Sequence, residues 1–210
     1  MNGRRNLKIN KKKFLYLISP NKIFESFYGD LIKVLKSNKI SFFQLRLKKD
    51  KYENKLKIAK KLIKICKKFK VKFLINDDPV LAKKINADGC HIGQKDMNIT
   101  NARKLLKKKI IGVTCHNSLR LAKIADKNKA DYIAFGAFNS TKTKKVKFRA
   151  NVSIIKKLKK TSIIPVVAIG GINNLNYKKL LLNKADFLAI SSYVWNNKKL
   201  KPEEAVKLLK

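Results

Sequence analysis

Residues 41–76 read "SFFQLRLKKDKYENKLKIAKKLIKICKKFKVKFLIN", and two kinds of period follow one another within them. From 43 to 48, apolar Phe43, Leu45 and Leu47 alternate with polar Gln44, Arg46 and Lys48. A period of two marks a strand whose faces meet different surroundings. From 51 to 69, Leu56, Ala59, Leu62, Ile63, Cys66 and Phe69 fall on one face of a helix, and lysines cover the rest. "VKFLIN" (71–76) then reads as a second strand. Strand, helix and strand in this order make a crossover unit with parallel strands.

The same unit repeats in both directions. "FLYLIS" (14–19) precedes it, and "GCHIG" (89–93), "IIGVTC" (110–115), "YIAFG" (132–136), "IPVVAIGG" (164–171) and "FLAISS" (187–192) follow. Each of the eight strands leads into a helical segment, the fourth by way of a turn and a short helix. Pro79 suits a helix start and Pro165 a strand start. Eight such units in 210 residues predict an α/β fold, a single-domain (β/α)8 TIM barrel of minimal size. A doubly wound open sheet would want a glycine-rich loop after its first strand, and "LISPNKI" offers none. The barrel is expected over 13–210 and a disordered basic tail over 1–12.

Composition narrows the setting. No apolar run approaches ~20 residues, so no membrane span is expected. The start "MNGRRNLKINKKK" lacks the apolar stretch of a secretory signal. Cys66, Cys90 and Cys115 form neither a close pair nor a metal spacing, which points to reduced thiols in a cytoplasm. The chain has 52 Lys+Arg against 13 Asp+Glu, a net charge of +39. Only 6 of those cations are arginine, and the lysines lie on nearly every helical stretch. They read as solvated helix faces, with no zinc-finger spacing or RNA-binding aromatic motif and so no specific nucleic-acid partner.

In a barrel the chemistry sits where strands end at their C-terminal side. Strand two leaves Gln44, Arg46 and Lys48 on one face. The opposite face must be apolar to pack under helices, so the polar trio should line the mouth. Cations there need an anionic partner. Strand three ends "IND" and strand four leads into "GQKD", which brings Asn76, Asp77 and Asp96 to neighbouring strand ends. Two carboxylates with water and a phosphate oxygen suit magnesium, a hard cation that keeps waters. Asp78, just before Pro79, reads as a helix cap instead. Thr114 and His116 stand two apart at the end of strand five, so both could face the mouth. Cys115 and His116 point to opposite faces, which leaves no Cys–His nucleophile. Cys90 reads as a space-filler against the barrel wall, His91 as a structural hydrogen-bonding residue and Trp195 as packing at the barrel top. The loop after strand six carries Thr141, Thr143 and Lys144, whose hydroxyls and ammonium suit a phosphate. Gly170-Gly171 and Ser191-Ser192 close strands seven and eight, the usual phosphate corner of such barrels.

Taken in order, "QLRLK" (44–48), "IND" (75–77), "HIGQKD" (91–96), "GVTCHN" (112–117), "TKTK" (141–144), "AIGGI" (168–172) and the serine pair resemble the thiamine-phosphate synthase family, which includes thiazole tautomerases. The resemblance covers residues 14 to about 195. It implies a transferase that joins hydroxymethylpyrimidine diphosphate to a thiazole phosphate and releases pyrophosphate with Mg2+. It places Gln44, Arg46 and Lys48 on the diphosphate, Asn76 beside the pyrimidine, and Thr114 near the pyrimidine and leaving group. Asp77 and Asp96 match the magnesium ligands. Thr141 and Thr143 match thiazole-phosphate contacts, Lys144 a diphosphate lysine, and Gly171, Ser191 and Ser192 the phosphate cup. Arg46, Lys48, Lys144 and Thr114 are thereby the catalytic candidates. A thiazole tautomerase of the same fold would have lost the diphosphate machinery, which this chain keeps. A basic nucleic-acid-binding barrel is left with net charge as its sole support. The implied partners are these small molecules; self-association is left open.

Overall fold

Eight parallel strands pair in sequence order and close on themselves. In this computed structural model, which describes residues 7, 10, 12–140 and 147–210, they are β1 (Leu15–Ile18), β2 (Ile40–Leu45), β3 (Lys72–Asn76), β4 (Gly89–Ile92), β5 (Ile110–His116), β6 (Tyr132–Gly136), β7 (Val166–Ile169) and β8 (Phe187–Ile190). The ring closes where Leu15, Tyr16 and Leu17 pair with Leu188, Ala189 and Ile190. Helices α1 (Ser26–Leu35), α2 (Tyr52–Lys68), α3 (Pro79–Lys84), α4 (Ile99–Leu106), α5 (Leu119–Lys127), α6 (Ser153–Lys159) and α7 (Tyr177–Leu182) follow the first seven strands. Two short helices, α8 (Ser192–Trp195) and α9 (Pro202–Lys207), follow the eighth. The fold is the expected single-domain TIM barrel. The expected tail over 1–12 lies almost entirely outside the described residues, although Leu7 packs against the barrel interior.

Alternation along the strands splits the core in two. Tyr16, Phe42, Leu74, Tyr132, Val167 and Phe187 fill the barrel itself. Leu15, Leu17, Phe43, Leu45, Phe73 and Ile75 face outward under the helices. Neighbours such as Phe42 and Phe43 therefore serve different layers, as a period of two requires. The helix starts follow local chemistry. Asp78 accepts from Leu81 N at 2.8 Å to cap α3, with Pro79 in its first turn. Asn98 caps α4 and Ser118 caps α5 in the same way.

A repeated device holds the end opposite the mouth. The dipeptide Ala-Asp precedes β4, β6 and β8, as Ala87-Asp88, Ala130-Asp131 and Ala185-Asp186. Each carboxylate accepts a backbone N–H from the preceding strand: Phe73 at 3.0 Å, Ile111 at 2.7 Å and Val166 at 2.7 Å. Each also pairs with a cation: Lys72, Arg103 and Lys159 respectively. Every second strand is thus pinned to its predecessor by one aspartate.

Two strand ends differ from the sequence expectation. β7 covers Val166–Ile169 rather than 164–171, because Gly170 and Gly171 take φ of +104° and +61° and leave the strand. β8 stops at Ile190, and Ser192 already opens α8.

Candidate active site

The polar side chains of β2 and its extension lie at different depths. Gln44 is buried inside the barrel and its Nε2 donates to Tyr16 Oη at 2.6 Å. Arg46 lies just past the strand; its Nη1 donates to Asn21 Oδ1 at 3.1 Å, and Ser19 Oγ accepts its backbone N–H at 2.9 Å. Burial pushes the guanidinium below its ordinary range, and the charge of Asp77 opposes that shift. Lys48 Nζ reaches Asp77 Oδ2 at 2.7 Å. The trio expected at the mouth thus climbs from the barrel interior to the rim.

Asp77 has φ of +62°, a left-handed conformation that Asp and Asn tolerate better than most residues. Asn76 and Asp77 both border a cavity of about 310 Å³ at the ends of β2 and β3, together with Lys48, Lys55 and Asp78. Its apolar lining, Leu45, Leu47, Ile75 and Leu81, belongs to the layer under the helices. Asp96 accepts from Gly93 N at 2.7 Å and shares a hydrogen bond with Asp77. Burial would raise the Asp77 carboxyl, but Lys48 and Asp96 outweigh it and hold it below the ordinary value. Asp96 is raised, by burial first and then by its hydrogen bond to Asp77. Two carboxylates held together need a proton or a cation between them, and magnesium fits this donor set. Among the described residues no group of three or more His, Cys, Asp or Glu gathers as a metal site. A dication here would therefore keep water ligands, which is magnesium's habit.

Thr114 on β5 lies next to His91, with Oγ1 and Nε2 2.7 Å apart. Burial lowers the His91 pKa to about 4, so the ring is neutral near pH 7; its Nδ1 meets Tyr132 Oη at 2.9 Å. His91 is the hydrogen-bonding residue expected of it. His116 is not the inward neighbour of Thr114 that its spacing suggests. The β5–β6 register shifts between the two residues, His116 has φ of +51°, and its ring stacks on Phe148 at 4.4 Å. Trp195 packs at the barrel top, where Nε1 donates to Ile18 O at 2.8 Å.

The phosphate corner is partly on view. Ser191 Oγ donates to Ser19 O at 3.3 Å, and Ser192 is the first residue of α8. A Cβ on Gly171 would collide with Ser140 O, and one on Gly170 with Ala137. The glycine pair thus lets the loop after β6 lie against the loop after β7. Thr141, Thr143 and Lys144 lie outside the described residues.

Residues 15–194 match the family described as Thiamine monophosphate synthase. A thiamine-phosphate synthase of Pelagibacter ubique is 68% identical over 204 residues, 97% of this chain and 98% of that protein. The chain belongs to the thiamine monophosphate synthase family. Another thiamine-phosphate synthase, from Rhodospirillum centenum, is 39% identical over 87% of this chain and 89% of its own length. The solved thiamine phosphate pyrophosphorylase of Pyrococcus furiosus superposes with a TM-score of 0.83 at 27% identity, covering 95% of this chain and 94% of that one.

Asp78 is occupied in capping α3. The Ala137 N–H donates to Phe148 O at 3.0 Å. Ser140 accepts from Arg149 Nη2 at 3.0 Å. Three residues of the site region were missed from sequence. Tyr16 and Tyr132 read as strand apolars, yet a buried tyrosine hydroxyl calls for a partner and that was the available signal. Lys55 gave no signal, because it is one lysine among many on α2.

Proposed function

We propose that the barrel mouth joins hydroxymethylpyrimidine diphosphate to a thiazole phosphate, with the leaving diphosphate held over the ends of β2 and β3. The observation that carries this reading is the Lys48–Asp77 pair at 2.7 Å with Asp96 hydrogen-bonded beside it and Arg46 near Asp77. Family membership and the 68% identity make the chain a transferase of thiamine biosynthesis, a thiamine-phosphate synthase.

Asp77 and Asp96 would hold magnesium, which supplies neutralising charge for the departing pyrophosphate. Arg46 and Lys48 bind the diphosphate oxygens and stabilise the charge that grows on them as the methylene–oxygen bond breaks. Gln44, which the resemblance places on the diphosphate, lies deeper than Arg46 and Lys48, inside the barrel beside Tyr16, and is assigned with Asn76 to the pyrimidine instead; Thr114 is assigned to the pyrimidine and the leaving group. Thr141 and Thr143 are assigned to the thiazole phosphate and Lys144 to the leaving group, with Gly171, Ser191 and Ser192 as the phosphate cup. Holding the thiazole nitrogen against the methylene carbon turns a bimolecular displacement into a positioned one. The electron-rich pyrimidine tolerates positive charge at that carbon, so a dissociative path is open and no protein nucleophile is required. Three buried, unbridged thiols suit a cytoplasmic setting, and among the described residues no helix is long and apolar enough to cross a membrane.

Purified protein incubated with both phosphorylated substrates and magnesium should yield thiamine phosphate and one equivalent of pyrophosphate. Absence of product with folded protein would remove the reading.

A further inference from the structure

The polar side chains inside the barrel form one hydrogen-bonded chain, and that chain has a direction. Gln44 Nε2 donates to Tyr16 Oη at 2.6 Å, and the Tyr16 and Tyr132 hydroxyls meet at 2.8 Å. Tyr132 Oη lies 2.9 Å from His91 Nδ1, and His91 Nε2 lies 2.7 Å from Thr114 Oγ1. An amide nitrogen donates and does not accept, so Tyr16 Oη accepts from Gln44 and keeps one proton to give. Tyr132 is the remaining neighbour in the chain. It accepts from Tyr16 and passes its own proton to His91 Nδ1. With Nδ1 accepting, the ring carries its hydrogen on Nε2 and gives it to Thr114 Oγ1.

The two ends are left with opposite characters. Gln44 Oε1 takes no hydrogen bond from the described residues, so this acceptor is open. Thr114 accepts from His91 and so keeps its own hydroxyl proton, and Thr114 is half-buried at a strand end facing the mouth. Tyr16 and Tyr132 are fully buried and act through these ends.

We propose that Tyr16, Tyr132 and His91 are positioning residues that fix hydrogen-bond polarity across the barrel floor, so that Gln44 offers an acceptor and Thr114 a donor to the pyrimidine diphosphate. The ligand recognised carries an N–H donor toward Gln44 and an oxygen or ring-nitrogen acceptor toward Thr114. Reversing the chain would turn the Gln44 amide over and spend the Thr114 proton on His91, exchanging both preferences. The proposal rests on reading this mouth as the synthase site, but its first test does not depend on turnover.

The chain has two histidines, so a His116→Gln variant leaves a single ring whose nitrogens can be resolved by 15N NMR at neutral pH. The expected state is the neutral tautomer with hydrogen on Nε2. Hydrogen on Nδ1 would overturn the proposal whatever the activity. The second test is Tyr132→Phe. It should raise KM for the pyrimidine diphosphate about tenfold and leave KM for the thiazole phosphate within about twofold, a gap of about 1.4 kcal/mol in binding. Equal changes in both constants, or none in a folded variant, would also overturn it. Tyr16→Phe serves the same comparison if Tyr132→Phe does not fold.

Discussion

At Asp77 a left-handed φ of +62° accompanies a carboxylate that meets Lys48 and Asp96. Substitutions at this position therefore mix two effects. Asp77→Asn keeps a side chain that tolerates the left-handed region and removes the charge. Asp77→Ala removes the charge and adds a backbone cost of about 1–2 kcal/mol. Both should lose turnover about a hundredfold or more at limiting magnesium, the scale of losing one preorganised electrostatic group. Asp96→Asn should match them in turnover. Only Asp77→Ala should also lower the thermal midpoint. Full activity of the asparagine variants at limiting magnesium would remove the metal assignment.

At the scale of elements, the Ala-Asp pins before β4, β6 and β8 should differ in worth by exposure. The Arg103 and Asp131 side chains are 20% and 9% exposed, with Nη2 and Oδ2 2.6 Å apart. Asp131→Asn leaves a half-sheltered guanidinium without its counter-charge, so about 3 kcal/mol of stability should go. Lys72 and Asp88 are 56% and 32% exposed at 2.8 Å, where solvent screens the pair, and Asp88→Asn should cost about 1 kcal/mol or less. Denaturant unfolding of the two variants checks the ordering. Activity per folded molecule should be unchanged in both, because the pins lie at the end of the barrel opposite the mouth. Equal losses would show that the backbone N–H bonds, rather than the ion pairs, carry the effect.

Across the whole molecule the net charge of +39 is the property least connected to the site. If the lysines are solvated helix faces, nucleic acid should bind weakly and without sequence preference. The affinity should fall linearly on a log–log plot against salt and vanish near physiological ionic strength, as released counterions compete. Filter binding across a salt series checks this. Tight binding to one defined oligonucleotide at physiological salt would put a second function on this barrel.

Periodicity alone determined the barrel, because a period of two and a period of 3.6 cannot be satisfied by one backbone, and eight alternations leave little other choice. The same alternation placed Gln44, Arg46 and Lys48 on one face, and Pro79 with Asp78 marked the start of α3. What period could not reach was any place where the chain leaves its period. Asp77 and His116 turn into the left-handed region, and the β5–β6 register shifts between Thr114 and His116. Gly170 and Gly171 turn out to be shaped by the loop after β6, a contact between distant stretches of chain. The chain from Gln44 through Tyr16, Tyr132 and His91 to Thr114 draws on β1, β2, β4, β5 and β6. No local pattern encodes it. Only closure of the barrel brings those five strands round one axis, and only there does a buried hydroxyl find the partner that its burial demands.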